Sequence, residues 1–277
     1  MIIDSGDKPW ILTSSAIVLA AAGSYALYAL TAPSGPSGGT WPGLTYGVIG
    51  TAMLAFAGLL GARKKVPTLR VGRVQFWMRG HIWLGLVSFP LILFHAGFSM
   101  GGSLTSVLMV LLTIIVLSGI LGAVLQQFIP RLMMEQVPTE VIYEKVDHVL
   151  RQFMETAEQR VESLKPKSDL EDESAYAILK EFNAKEIKPF LLNPGRQGLL
   201  HTLSRANLVF EHVSKLVPQA SHLVIEDLQN IVQQRRELAT QLKLHYILHV
   251  WLLVHAPLSG VLGVLTIVHA VMALRYH

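Results

Sequence analysis

The chain has 277 residues and a mass of 30.5 kDa; it is 51% hydrophobic and only 15% charged, with a mean hydropathy of +0.44 and a formal charge of +4. A soluble domain carries about 25% charged residues, so this composition excludes an ordinary soluble enzyme, intrinsic disorder, a disulfide scaffold and a pure nucleic-acid binder. There are no cysteines, which excludes cysteine-held iron–sulfur clusters, zinc ribbons, thioether-attached c-type haem and thiol catalysis.

Asp, Glu, Lys and Arg are absent from 9–62, 80–130 and 244–274. A helix needs about 20 apolar residues to cross the hydrocarbon core, so these stretches predict five spans: 10–30, 44–60, 80–100, 104–128 and 244–274. The run from Pro33 to Gly39 is the turn between the first two. Span 1 reads as a retained helix rather than a signal peptide, because its apolar core exceeds about 15 residues. Span 5 is long enough to be tilted or to begin as an interfacial helix.

Between spans 4 and 5, residues 129–243 hold 15 Lys plus Arg and 17 Asp plus Glu. Helical apolar spacing recurs there, as in Val141, Val146 and Leu150 and in Leu223, Leu228 and Val232. Breaks are expected at 166–172 and at Asn193-Pro194-Gly195. The predicted fold is all-α, a five-span transmembrane helical bundle with a helical soluble insertion, divided as 1–128, 129–243 and 244–277.

Basic residues set the orientation. Arg63, Lys64, Lys65, Arg70, Arg73 and Arg79 lie between spans 2 and 3, whereas the turns at 31–43 and 101–103 hold none. The N-terminus and the insertion should face the cytoplasm and the C-terminus the opposite side, in a bacterial inner membrane.

Eleven histidines are present. Histidine inside a membrane helix is costly and marks function. His81 and His95 lie in span 3, His255 and His269 in span 5, and these are the two pairs in the chain that are 14 residues apart. Fourteen residues return a helix to within about 40° of the same face and advance it about 21 Å. Spans 3 and 5 run in the same direction, so His81 can meet His255 at one level and His95 can meet His269 at the other. Two facing imidazoles at each of two levels suit two b-type haems with bis-histidine ligation, with all four histidines as iron ligands. Small residues should line such rings: Gly47 and Gly61, again 14 apart, with Gly85, Gly97, Gly119, Gly122, Gly260 and Gly263.

This H-x13-H pair on two parallel spans resembles the di-haem membrane cytochromes b, which include the cytochrome b of quinol–cytochrome c reductases and the ferric-reductase and NADPH-oxidase membrane domain. The resemblance covers spans 2 to 5 and implies electron transfer across the bilayer through stacked haems. The insertion has no counterpart in it.

Arg70, Arg73 and Arg79 precede the His81 level and are candidates for anionic haem propionates, as are Arg275 and Tyr276 at the other end. His245 and His249 either anchor the interface beside Tyr246 and Trp251 or serve a quinone pocket, a proton relay or a further metal. Pro257 should kink span 5. His148, His201, His212 and His222 read as surface residues. There is no dinucleotide-binding glycine fingerprint and no P-loop lysine, so no catalytic residue is assigned. Quinone or another redox subunit, bearing haem c or an iron–sulfur centre or linked to quinone, should exchange the electrons. Membrane lipid is the other partner, homo-oligomers are compatible, and nucleic acid is not expected. The expectation is an electron-transfer subunit of an oxidoreductase. The alternatives are a quinol-oxidising or metal-reducing cytochrome b with its own site, a colourless signalling or scaffold protein, and a proton-coupled transporter.

Overall fold

In lipid, a long apolar run can satisfy its backbone only by hydrogen-bonding within its own helix. The computed structural model describes residues 5–65, 72–136, 146–166, 174–195 and 198–276, and every regular element among them is helical. In chain order these are α1 (Lys8–Thr31), α2 (Trp41–Lys65), α3 (Val74–Ala96), α4 (Ser103–Gln136), α5 (Val146–Glu162), α6 (Ser174–Phe182), α7 (Lys188–Leu192), α8 (Leu203–Leu216) and α9 (His222–Tyr276). A 3-10 turn, Ser5–Asp7, precedes α1, and a π-turn, Asn183–Ile187, joins α6 to α7. Helices α1 to α4 and α9 are long and apolar enough to cross a membrane. The chain is an all-α membrane protein.

Two compact units can be distinguished: Met1–Pro130 with Ile247–His277, and Arg131–Tyr246. The charge-free run of span 5 begins at 244; the helix that contains it, α9, begins earlier, at His222. The physical reason is visible in the residues: 222–256 contain neither Gly nor Pro, so nothing interrupts the hydrogen-bond ladder there. The helix also continues through Pro257. Of the expected break at 166–172, positions 167–172 lie outside the described residues, and α7 ends at Leu192, just before Asn193-Pro194-Gly195.

In the first unit, α1 and α3 run parallel. Trp10 meets Phe76 at one end and Tyr25 stacks on Phe94 at the other, with ring centres 5.5 and 4.6 Å apart. Helix α2 packs on α3 and runs antiparallel to it: Phe56 stacks on Trp77, and Tyr46 meets Phe94. Close approach rests on small residues, the usual device where helices lack a hydrophobic drive to associate. A Cβ on Gly50 would stand 2.9 Å from Ile92, and one on Gly80 would overlap Phe56. The turn into α2 is fastened by Tyr28, whose hydroxyl bonds Thr40 and accepts from the Ser37 amide at 2.9 Å. Gly97 ends α3 in the left-handed region at φ +57°, where glycine is favoured. A Cβ there would also collide with the Pro36 carbonyl. Helix α4 runs antiparallel to the C-terminal part of α9, with Leu112 and Ile115 packed with Leu262.

The second unit has its own core. Ala157, Leu179, Ile187 and Leu228 are completely buried in one cluster that joins α5, α6, the π-turn, α8 and the start of α9. Thr202 caps α8 by accepting the Arg205 amide, and the Arg235 Nε–H donates to the Leu191 carbonyl at 2.7 Å. Deleting a buried leucine side chain costs about 2–5 kcal/mol. Leu228→Ala in the full chain should therefore speed amide hydrogen exchange across α5, α6 and α8 while leaving protection in α2 and α3 unchanged.

Candidate functional site

Residues separated by 14 positions share a helix face, and the structure uses that register twice. His81 of α3 faces His255 of α9 with ring centres 6.4 Å apart, and His95 faces His269 at 6.3 Å. The interplanar angle is 76° in both pairs. Contact at both levels requires α3 and this part of α9 to run parallel.

The hydrogen bonds decide which nitrogen of each α3 imidazole is free. The Nδ1–H of His81 donates to the Ala57 carbonyl, and that of His95 to the Gly43 carbonyl, each at 2.9 Å. A carbonyl can only accept, so each Nδ1 carries the ring proton. In the neutral imidazole the lone pair then lies on Nε2, the arrangement that a metal-ligating histidine uses. Ala57 and Gly43 are 14 residues apart on antiparallel α2, so the acceptors repeat with the same period as the histidines.

This ladder adds backbone groups to the glycine signal. The sequence expectation placed Gly47 and Gly61 beside the two levels; Gly47 does lie against the His95 ring, and the carbonyls one turn earlier accept the hydrogen bonds of the rings. A helical side chain leans towards the N-terminus, over the carbonyl four residues before it. Glycine at that position bares the carbonyl. At Gly47 the need is steric, because a Cβ would stand 2.6 Å from the His95 Nδ1. At Gly61 nothing lies within 4 Å of the Cβ position, and the residue is exposed near the end of α2. Gly38, in the α1–α2 turn, closes over the same ring, its Cβ position being 3.0 Å from the His95 Cε1.

His255 is held by α4. Its Nδ1 lies 3.2 Å from the Ser118 hydroxyl. Trp251, one turn earlier on α9, stacks on the His255 ring at 5.2 Å and 23° and donates its Nε1–H to the Ser118 carbonyl at 2.8 Å. Gly122, four residues after Ser118, repeats the bared-carbonyl device, since a Cβ there would overlap the indole. Sequence reading assigned Trp251 to interfacial anchoring and did not find Ser118. The available signal was the Ser118-x3-Gly122 spacing, which resembles Gly43-x3-Gly47.

A cavity of about 580 Å³ opens at the His81–His255 level. It is lined by residues of α2, α3, α4 and α9, including Gly58, Gly85, Gly119 and Gly263. At Gly58, Gly85 and Gly263 the Cβ position meets open space. Between the two histidine levels the bundle is apolar, with Leu112, Ile115 and Leu262 buried against Phe89, Ile92 and Leu258.

The remaining candidates are placed as follows. Arg79 pairs through Nε with Asp7 at 3.5 Å, and Trp83, which lines the cavity, donates to the same carboxylate at 3.0 Å. Asp7 is 1% exposed, so this cluster fastens the start of α1 to α3. Arg79 itself is not among the lining residues. Arg73 is exposed as the residue before α3, and Arg275 is exposed near the end of α9; Arg70 lies outside the described residues. His245 and His249 are exposed, and the ring paired with His81 is His255. Gly260 has open space at its Cβ position. His222 bonds the Ser214 carbonyl at 3.0 Å. Among the described residues no three His, Cys, Asp or Glu side chains cluster as for a metal ion.

Comparison with protein-family models, with curated proteins and with solved structures finds no match to this chain.

The two glycines should separate cleanly on substitution. Gly47→Ala forces a methyl group against His95 and should destabilise the bundle by about 1–3 kcal/mol, the usual cost of overpacking. Gly61→Ala should stay within about 0.5 kcal/mol of the wild type. Thermal unfolding of the detergent-solubilised proteins reads both.

Proposed function

We propose that this protein is a di-haem b-type membrane cytochrome, with His81 and His255 ligating one haem and His95 and His269 the other. It would carry electrons across the bilayer as a subunit of a larger redox complex. The observation that carries this reading is the separation of the ring pairs. An imidazole nitrogen binds a first-row metal at about 2.0–2.1 Å, so two rings on opposite sides of one ion have centres about 6.3 Å apart. The measured separations are 6.4 and 6.3 Å.

Three further features support it. Each histidine pair would supply two imidazole ligands to a haem iron, one from α3 and one from α9. Both α3 rings present a free Nε2, because backbone carbonyls hold their Nδ1–H groups. The cavity at the first level is of ligand size, and its three open glycine positions leave room for a flat macrocycle.

The haem iron, when bound, supplies a one-electron couple. The residues do the rest. Ala57 and Gly43 fix the tautomers of His81 and His95. Ser118 and Trp251 hold His255. Leucine, isoleucine and phenylalanine side chains pack between the two levels. Asp7 neutralises Arg79 at the wall of the first level. The exposed positions of His245 and His249 offer no enclosed pocket for a quinone headgroup, which favours a conduit over a self-contained quinol oxidase. The basic run at 63–79 orients the His81 level towards the cytoplasm by the positive-inside rule; a bacterial inner membrane fits that arrangement. A second redox subunit then supplies or removes the electrons.

The test is a reduced-minus-oxidised optical spectrum with haem counted per chain by pyridine haemochrome. Two b-type haems per chain are expected, and none would overturn the reading. His95→Ala should lose the second-level haem and keep part of the first; retention of both would refute the pairing.

A further inference from the structure

His81 and His95 rest on backbone carbonyls, acceptors that no side-chain substitution removes. His255 rests on a side chain, the hydroxyl of Ser118 at 3.2 Å. We propose that Ser118, with Trp251 seated against it, sets the electron-donating power and orientation of His255 and so tunes the first level independently of the second. The proposal rests on the reading of the four histidines as metal ligands.

The chemistry follows from the tautomer. A neutral imidazole has one ring proton. If the Nε2 of His255 takes a metal, the proton is on Nδ1, and the Ser118 oxygen is its acceptor. A hydrogen-bond acceptor on the far nitrogen raises the basicity of the ligating nitrogen, and such partners typically change metal affinity 10–100-fold. More donation favours the more oxidised metal. The hydroxyl rotates to suit its neighbours and retains a donor of its own, so it makes a softer and more adjustable partner than the fixed carbonyls on α2.

Geometry makes Ser118 the centre of a closed unit. Its hydroxyl meets His255, while its carbonyl accepts the Trp251 indole N–H at 2.8 Å. Trp251 and His255 are one turn apart on α9 and stacked face to face. The indole reaches the carbonyl because Gly122 has no side chain to block it. With the stack fixed, the imidazole cannot rotate about its Cβ–Cγ bond without displacing the tryptophan. Ser118 and Trp251 are thus positioning residues that act through His255.

The experiment uses full-length protein in lipid nanodiscs, with a potentiometric titration of both haems and low-temperature EPR of the oxidised form. Ser118→Ala should lower the ferric-over-ferrous preference of one haem about tenfold, which is a rise of about 59 mV for a one-electron couple. The other haem should stay where it was. Ser118→Thr keeps the hydroxyl and should restore the wild-type midpoint. Trp251→Phe should change the EPR signature of the same haem alone. If Ser118→Ala does not assemble, Ser118→Cys, with only a weak acceptor, carries the same comparison. A two-haem protein whose midpoints and EPR spectrum ignore Ser118 overturns this proposal and leaves the ligand assignment standing. A wild-type protein without haem overturns the ligand assignment and this proposal with it.

Discussion

The arrangement depends on one constraint, the single proton of a neutral imidazole. Once a backbone carbonyl claims that proton at Nδ1, the opposite nitrogen can only present a lone pair. At His81 and His95 the claim is made by α2, through the carbonyls of Ala57 and Gly43. Each carbonyl is already part of the helix ladder, so its second lone pair serves the ring. Helix α2 thus fixes the tautomer of both α3 histidines.

That role explains why α2 must lie so close. Imidazole can reach a helical carbonyl only where the side chain four residues later is missing or turned away. Gly47 meets that need for His95, and Gly122 meets it for Trp251 on Ser118. The same glycines let helices approach in lipid, where association rests on packing rather than on expulsion of water. Packing and ligand orientation are therefore one interaction read at two scales. The two levels still differ: a cavity and a hydroxyl partner belong to the His81–His255 level, while the α1–α2 turn closes over His95.

The rest of the first unit serves this geometry. Asp7 is a buried carboxylate in an otherwise apolar environment, and Arg79 with Trp83 satisfies it. The ion pair ties the start of α1 to α3 near His81. At the opposite end the aromatic cluster of Tyr25, Tyr46 and Phe94 does the same without charge. The second unit, with its separate core, contributes no residue to the lining of the cavity.

Much of this was legible in the residues. The charge-free runs dictated membrane helices, because lipid leaves a backbone no other way to satisfy its hydrogen bonds. The two 14-residue histidine spacings dictated two levels, because that interval returns a helix to one face. What the sequence could not decide was which backbone groups meet those rings. A carbonyl has no residue type, so Ala57 and Gly43 gave no sign of their role, although Gly47 was found beside the His95 ring. Ser118 was equally silent, since its meaning comes from α4 lying antiparallel to α9 at one rotation. The start of α9 was also not legible, because charge marks the apolar run from 244, while the helix ladder is unbroken back to His222. Periodicity along a helix is written in the sequence; the partner across the interface is fixed only when two helices settle their depth and rotation against each other.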